Sequence, residues 1–268
     1  PWFNIGTQCN NPYPCDFQGH CWKLIPKNSF LFTTAMDDET LFQSYFNGVN
    51  TNAKMLQQIE PDSEEAHQIE ALETNSYYID YKTLYSLAPQ PKPKSVAYLN
   101  LLLYRPAVPE LEGTRPYEEM ILAFALQGEH ESEGCFVWDC FDDHSRWKEA
   151  IDLLIEKLSH YELIVCFTPQ NLSTTLLRHE IIQNQTVGYK VFNLFEVLQN
   201  ARFFHPAIKR GLTLQRLAEA LFPASKLFEH SRIIMEATSN DLMGYQQAKE
   251  DLITENETVA KTYQQFFK

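Results

Sequence analysis

Asp80 and Lys82 stand two positions apart at the end of a β-rich run, SYYIDYKTL (Ser76–Leu84). Alternation predicts a buried strand there, and a period of two puts both side chains on one face. An Asp-x-Glu pair at such a place would hold a metal, because hard oxygen donors suit magnesium and manganese. Asp-x-Lys does not, since an ammonium repels a dication. Lys82 then has two readings: an internal cation paired with Asp80 or Glu257, or a lysine facing solvent at a strand end.

A second set of chemical groups lies near the start. Cys9, Cys15 and Cys21 are separated by five residues each, in a turn-rich stretch poor in core formers. Thiolates on loops suit zinc or an iron–sulfur cluster. The alternative is three buried structural cysteines packed with Trp2, Phe17 and Trp22. His20 adjoins Cys21, and neighbours rarely both reach one ion. Cys135, Cys140 and Cys166 fall in apolar runs and read as core. In CFDDHSRW, Asp143 reads better as a helix N-cap than as a metal or acid–base group beside Asp142 and His144. Arg202, His205, Lys209 and Arg210, around FFHPAIKRG, could meet a phosphate backbone, or the stretch could be a turn packed by Phe203 and Phe204.

The elements that would position these groups follow from composition and pattern. The chain has 268 residues, 44% hydrophobic and 13% aromatic, enough for one or two domains with a full core. Its net charge of -13 argues against wrapping nucleic acid by general electrostatics. The stretch from Arg202 to Arg232 is locally basic and reads as a solvated surface or a basic face. No apolar run approaches the roughly 18 residues of a membrane span, and no signal peptide is evident, so the reading is cytoplasmic. The chain opens PWFNIG without methionine and reads as part of something longer.

Residues 1–30 form a Cys-rich, loop-rich module, and residues 31–75 a helical connector. ETLFQSYFNGV puts Leu41, Phe42, Tyr45 and Phe46 on one helix face, with Gly48 as a stop. From residue 76 to 268 strand-like runs come first: SYYIDY, VAYLNLLLY, MILAFALQ and CFVWDC. They predict an antiparallel meander. SRWKEAIDLLIEKLSHY then reads as a helix with Trp147, Ile151, Leu154, Ile155 and Leu158 on one side. ELIVCF is a buried strand, NLSTTLLRHEII a helix and YKVFNLFEVL ambiguous. TLQRLAEALF is a helix capped by Thr213 and closed by Pro223, and a long helix runs from about Met243. Strands first and alternation afterwards predict an α/β fold, a mixed sheet flanked by helices. No Gly-rich phosphate loop or nucleophile elbow is present.

IGTQCNNPYPCDFQGHCW, YYIDYKT, GTRPYEEMILAFALQ and FFHPAIKRGLTLQRLAEALFP together resemble an uncharacterised bacterial family, a domain of unknown function. In that family a RecB-like nuclease region with a cysteine cluster precedes a DnaQ-like exonuclease domain of ribonuclease H-like fold. The resemblance implies four carboxylates holding two divalent ions about 4 Å apart. It places the first pair at Asp80 and Lys82, the second motif at Asn171, a further acidic position at Asn193 and the last at Glu257. Asp80 and Glu257 remain acidic; Lys82, Asn171 and Asn193 do not. The resemblance also implies a fourth cysteine upstream, hence a zinc or iron–sulfur cluster shared with a RecB-like domain of the same polypeptide.

The expectation is therefore a degenerate DnaQ-like 3'–5' exonuclease domain that binds single-stranded nucleic acid or acts as a scaffold. One rival is an active magnesium- or manganese-dependent nuclease using Asp80 and Glu257 with Asp241 or Asp251. The other is a protein-interaction module with no nucleic-acid partner, which the net acidity favours.

Overall fold

Runs of β-branched, leucine and aromatic residues become strands where the chain can bury both of their faces. The computed structural model describes residues 4–10, 13, 15–129, 134–168, 190–208, 211–224, 227, 230–238 and 241–268. The chain divides into two compact units, residues 1–81 with 201–212, and residues 82–200 with 213–268.

The first unit is built from short helices. These are α1 (Gln18–Cys21), α2 (Asp38–Phe46), α3 (Asn52–Leu56) and α4 (Glu64–Thr74). Asp37, Thr51 and Ser63 accept the first free amides of α2, α3 and α4, as short polar side chains at an N-cap do. Phe30, Leu41, Phe42, Met55 and Ile69 form its core, and Cys9 is buried among them. Phe46, expected on the apolar face of α2, is 55% exposed. The side-chain oxygen of Gln68, itself buried, accepts the amides of Thr34 at 2.7 Å and Ala35 at 3.1 Å, so a loop that cannot pair in a sheet is satisfied by one amide.

The expected strand SYYIDY is not one. Only Tyr78 pairs, in an isolated antiparallel bridge with Phe204, and helix α5 (Tyr81–Ser86) begins directly after Asp80. An aspartate just ahead of helix-compatible residues favours a helix start over strand continuation. Asp80 and Lys82 therefore do not share a strand face, and Lys82 is an exposed residue of α5.

The second unit holds one mixed sheet, in the order β3-β2-β1-β4-β5. Strand β1 (Val96–Tyr104) pairs antiparallel with β2 (Met120–Gly128), and β2 pairs antiparallel with β3 (Phe136–Asp139). On its other side β1 runs parallel to β4 (Leu163–Cys166), which runs parallel to β5 (Lys190–Asn193). The antiparallel meander is thus three strands, and the fold is α/β, compatible with a ribonuclease H-like sheet. The ambiguous YKVFNLFEVL resolves into β5 followed by α7 (Leu194–Asn200).

Side-chain alternation sorts β1 onto two faces. Ala97, Leu99 and Leu101 meet helix α6 (Glu149–Leu158) through Ala150, Leu154 and Leu158. Ile155, expected on that apolar side, is 40% exposed instead. On the opposite face the core holds Leu102, Met120, Leu122 and Ala125 with residues of α9 (His230–Ala237) and α10 (Leu242–Phe267). Between α7 and α9 lies α8 (Leu214–Leu221), capped as expected by Thr213, whose hydroxyl accepts the Arg216 amide at 3.2 Å. Among the described residues no helix is long and apolar enough to cross a membrane.

Candidate functional site

Strand β1 is the centre of the sheet, and its second face reads Tyr98, Asn100, Leu102. Helix α10 lies over that row. Tyr98 meets Tyr263 edge to face, with ring centroids 6.0 Å apart. Leu102 shares a cluster with Ala248 and Leu252. Between them the Asn100 side-chain amide donates to Glu255 Oε2 at 2.7 Å. Glu255 is 5% exposed, so this charge-assisted bond satisfies one oxygen of a buried carboxylate. The next residue, Asn256, is fully buried and donates to the Tyr98 carbonyl at 3.2 Å, tying the helix to the strand backbone.

The polar line continues one turn back along α10. Gln247 donates to Asp251 Oδ1 at 2.9 Å, at i,i+4 spacing, and Asp251 is 6% exposed. Burial raises the Asp251 carboxyl above the ordinary range, and Glu236 on α9 and Glu255 push the same way, while Gln247 and Arg232 oppose them. Arg232 Nε bonds Glu236 Oε1 at 2.7 Å along α9.

At the other end of the parallel strands Asn193 acts as a staple. Its Nδ2 donates to the Thr168 carbonyl at 2.9 Å and to Glu196 at 3.2 Å, while its Oδ1 accepts the amides of Thr168 and Phe195, each at 3.2 Å. The side chain extends the β4–β5 pairing to Thr168, past the Cys166–Asn193 end of the ladder, and caps α7. The cap needs only the acceptor oxygen, but the donations to Thr168 and Glu196 need an amide, because a carboxylate cannot donate.

The residues singled out in the sequence are dispersed. Asp80 belongs to the first unit, where its backbone amide bonds the Ala201 carbonyl at 2.8 Å. Glu257 belongs to the second; it is exposed and pairs with Lys261 at 3.5 Å, so the acid of α10 that faces β1 is Glu255, two residues earlier. Asp241 is the N-cap of α10, accepting the Met243 amide at 3.2 Å. Asn171, Lys209 and Arg210 lie outside the described residues. Cys9 is buried, Cys15 half-buried and Cys21 exposed, and all three are free thiols. Among the described residues no group of three or more His, Cys, Asp or Glu side chains is arranged to hold a metal ion. Asp143 is the N-cap expected of it, accepting from the Ser145 amide at 3.0 Å, and those bonds lower its pKa.

Arg202 and His205 are engaged within the first unit. The Arg202 guanidinium pairs with Glu64, and its backbone adopts φ of 53°, the left-handed region. His205 is 7% exposed; its Nδ1 accepts the Ala207 amide at 3.0 Å, and the ring also bonds the backbone of Asn75. A ring nitrogen that accepts a backbone amide must be unprotonated. Burial accordingly lowers the His205 pKa below 6.5.

The unfolded chain takes up that proton first, so His205 contributes stability that is intact above about pH 6.5 and lost as pH falls through the folded-state pKa. Urea midpoints of the wild type at falling pH should drop through this window more than those of His205→Gln. Parallel profiles would show that the ring does not carry this proton linkage.

Asn100 and Glu255 are the buried polar pair that sequence reading missed. The signal was present: Asn100 is the one polar residue within VAYLNLLLY. Glu255 follows Asp251 by four residues, on the same helix face.

No protein-family model matches the chain. No curated protein matches it. Among solved structures, the chain is similar to the family B DNA polymerase from the hyperthermophilic archaeon Pyrobaculum calidifontis, with 12% sequence identity and a TM-score of 0.44. The match covers 65% of this chain and 25% of that one, so the chain spans about a quarter of the polymerase's length.

Proposed function

We propose that the sheet unit is a ribonuclease H-like module that has lost exonuclease chemistry and serves as a scaffold within a larger nuclease-like protein. The observation that carries this reading is the Asn100–Glu255 hydrogen bond on the central strand. A two-metal hydrolase needs carboxylates projecting together from that strand and the facing helix, to bind two dications and activate water between them. β1 carries no carboxylate at all, and its Asn100 aims an amide N–H at Glu255. An N–H donor cannot coordinate a cation. The donor set does not fit a pair of divalent ions, and no hydrolytic step is assigned to it.

Of the two roles left to such a module, scaffolding is better supported than binding of single-stranded nucleic acid. The net charge is -13, Arg202 is paired with Glu64, and His205 spends its ring on backbone groups. An upstream RecB-like domain of the same polypeptide, with zinc or an iron–sulfur cluster completed by cysteines outside this chain, is the partner that the sequence resemblance proposes for the residues around Cys9, Cys15 and Cys21.

The test is incubation of the chain with an end-labelled single strand and manganese. The expected result is an intact strand, together with binding too weak to show a steep salt dependence. Manganese-dependent shortening that disappears in Glu255→Gln would make this a working nuclease.

A further inference from the structure

A cavity of about 130 Å³ lies where β1 begins, lined by its first residue Val96, by the Pro-rich stretch that leads into the strand, and by the last turn of α10. Val96 accepts the Glu129 amide there at 2.9 Å, which closes the end of the β1–β2 pair. Tyr263 and Phe267 give the cavity an aromatic side, their rings stacked with centroids 5.3 Å apart. Phe192 of β5 meets both rings edge on, at 5.8 and 5.2 Å, and holds them in place. Pro89 and Pro93 line it as well, and a proline ring fixes the backbone that carries it. The space is close to the roughly 150 Å³ that takes one benzene molecule. Its charged lining is Lys92, Glu129 and Lys268. The Glu129 side chain is 9% exposed and pairs with Lys268, so those two charges cancel. Lys92 is exposed, and among the described residues it pairs with no carboxylate. Burial lowers the pKa of Lys268, and the Lys92 ammonium lowers it further.

We propose that this cavity binds a small aromatic carboxylate, its ring against Tyr263 and Phe267 and its charge against Lys92. Each part of the lining selects one part of that ligand. Aromatic side chains and prolines take a flat apolar body, and an aromatic ring packs on another in an offset or edge-on arrangement. The two ammonium groups outnumber the one carboxylate, so the lining carries a net positive charge that a single anionic group neutralises. An ammonium on a flexible stem places its charge without demanding one bonding geometry, which suits a carboxylate entering from solvent. Entry is on the side of Gln90 and Lys92, both exposed. A cationic ring would meet two like charges, and a small anion without a ring would leave the apolar lining unused. The cavity lies about two turns of α10 beyond Glu255, so it is a separate site from the Asn100–Glu255 bond.

The experiment is titration of the whole chain with benzoate, followed by ligand-observed NMR. Benzylamine, the same ring with a positive charge, and acetate, the same charge with no ring, are titrated beside it. Benzoate should saturate one site with a Kd of about 1 mM, the range for a ligand so small. Benzylamine and acetate should each bind at least about tenfold more weakly. Lys92 is exposed, so its variants keep the fold, which circular dichroism checks. Lys92→Gln should weaken benzoate about fivefold, the scale of one exposed charge. Lys92→Glu should reverse the preference and take up benzylamine in place of benzoate. Benzoate that does not saturate would overturn the inference, as would equal benzoate binding by the wild type and Lys92→Glu. Acetate that binds as well as benzoate would also overturn it, because the rings would then select nothing. Strand cleavage with manganese bears only on the reading of β1 and Glu255, so failure of one leaves the other standing.

Discussion

Asn100→Asp is expected to destabilise the sheet unit by about 3–5 kcal/mol at neutral pH, the range for leaving a buried charge without compensation. The substitution adds one oxygen in place of a nitrogen and changes shape hardly at all. Its whole effect is electrical. The N–H that now meets Glu255 Oε2 at 2.7 Å becomes a second carboxylate, facing an acid that is 5% exposed. Two carboxylates so placed cannot both stay ionised, so one pKa rises in the folded state. The folded protein then binds a proton that the unfolded chain releases, and stability falls as pH rises. Urea midpoints should therefore show a large loss at about pH 7.5 and a much smaller one at about pH 5. A loss independent of pH would mean that the amide serves packing rather than charge. Asn100→Leu, which takes the Asn100 donor away from the buried Glu255, should also be destabilised at pH 7.5 and recover at low pH.

Asn193→Asp should cost about 2–4 kcal/mol, from two lost donations and a carboxylate turned toward acceptors. Asn193 is 8% exposed, and its Nδ2 gives one bond to the Thr168 carbonyl and one to Glu196. Aspartate keeps the acceptor side, the Thr168 and Phe195 amides, and loses the donor side entirely. It also brings a negative charge up to Glu196. Adding Glu196→Gln should recover part of the loss, since the new amide can donate to the carboxylate. If Asn193→Asp were as stable as the wild type, the position would be indifferent to amide or acid and the staple would not be the reason for asparagine there. The comparison matters for function, because it separates an asparagine that replaces a lost acid from one retained for its own hydrogen bonds.

Most of the sheet was legible in the sequence and the centre of the site was not. β1, β2, β4 and α10 are long or strongly apolar, and their periodicity settles them. The stretch around Asp80 is short, half aromatic and flanked by a left-handed Asn75, so local pattern could not separate a strand from a single bridge followed by a helix. That one misplacement moved the expected opening strand upstream of the true central strand. It left Asp80 and Lys82 ahead of and within α5 rather than on one strand face. On α10, Glu255 and Glu257 are equally plausible in a string such as TENET. Only the packing of Tyr98 on Tyr263 and Leu102 against Leu252 fixes which of the two turns inward. Caps were the most readable detail, with Asp143 and Thr213 found where short polar side chains precede helical runs.

A manganese titration of the wild-type chain in metal-free buffer, followed by calorimetry, tests most directly whether the face of β1 is closed by its own side chains. No saturable heat up to millimolar manganese is the predicted result. One or two saturable sites that vanish in Glu255→Gln would show that Glu255 is a metal ligand, and that the Asn100–Glu255 bond yields to a cation in solution.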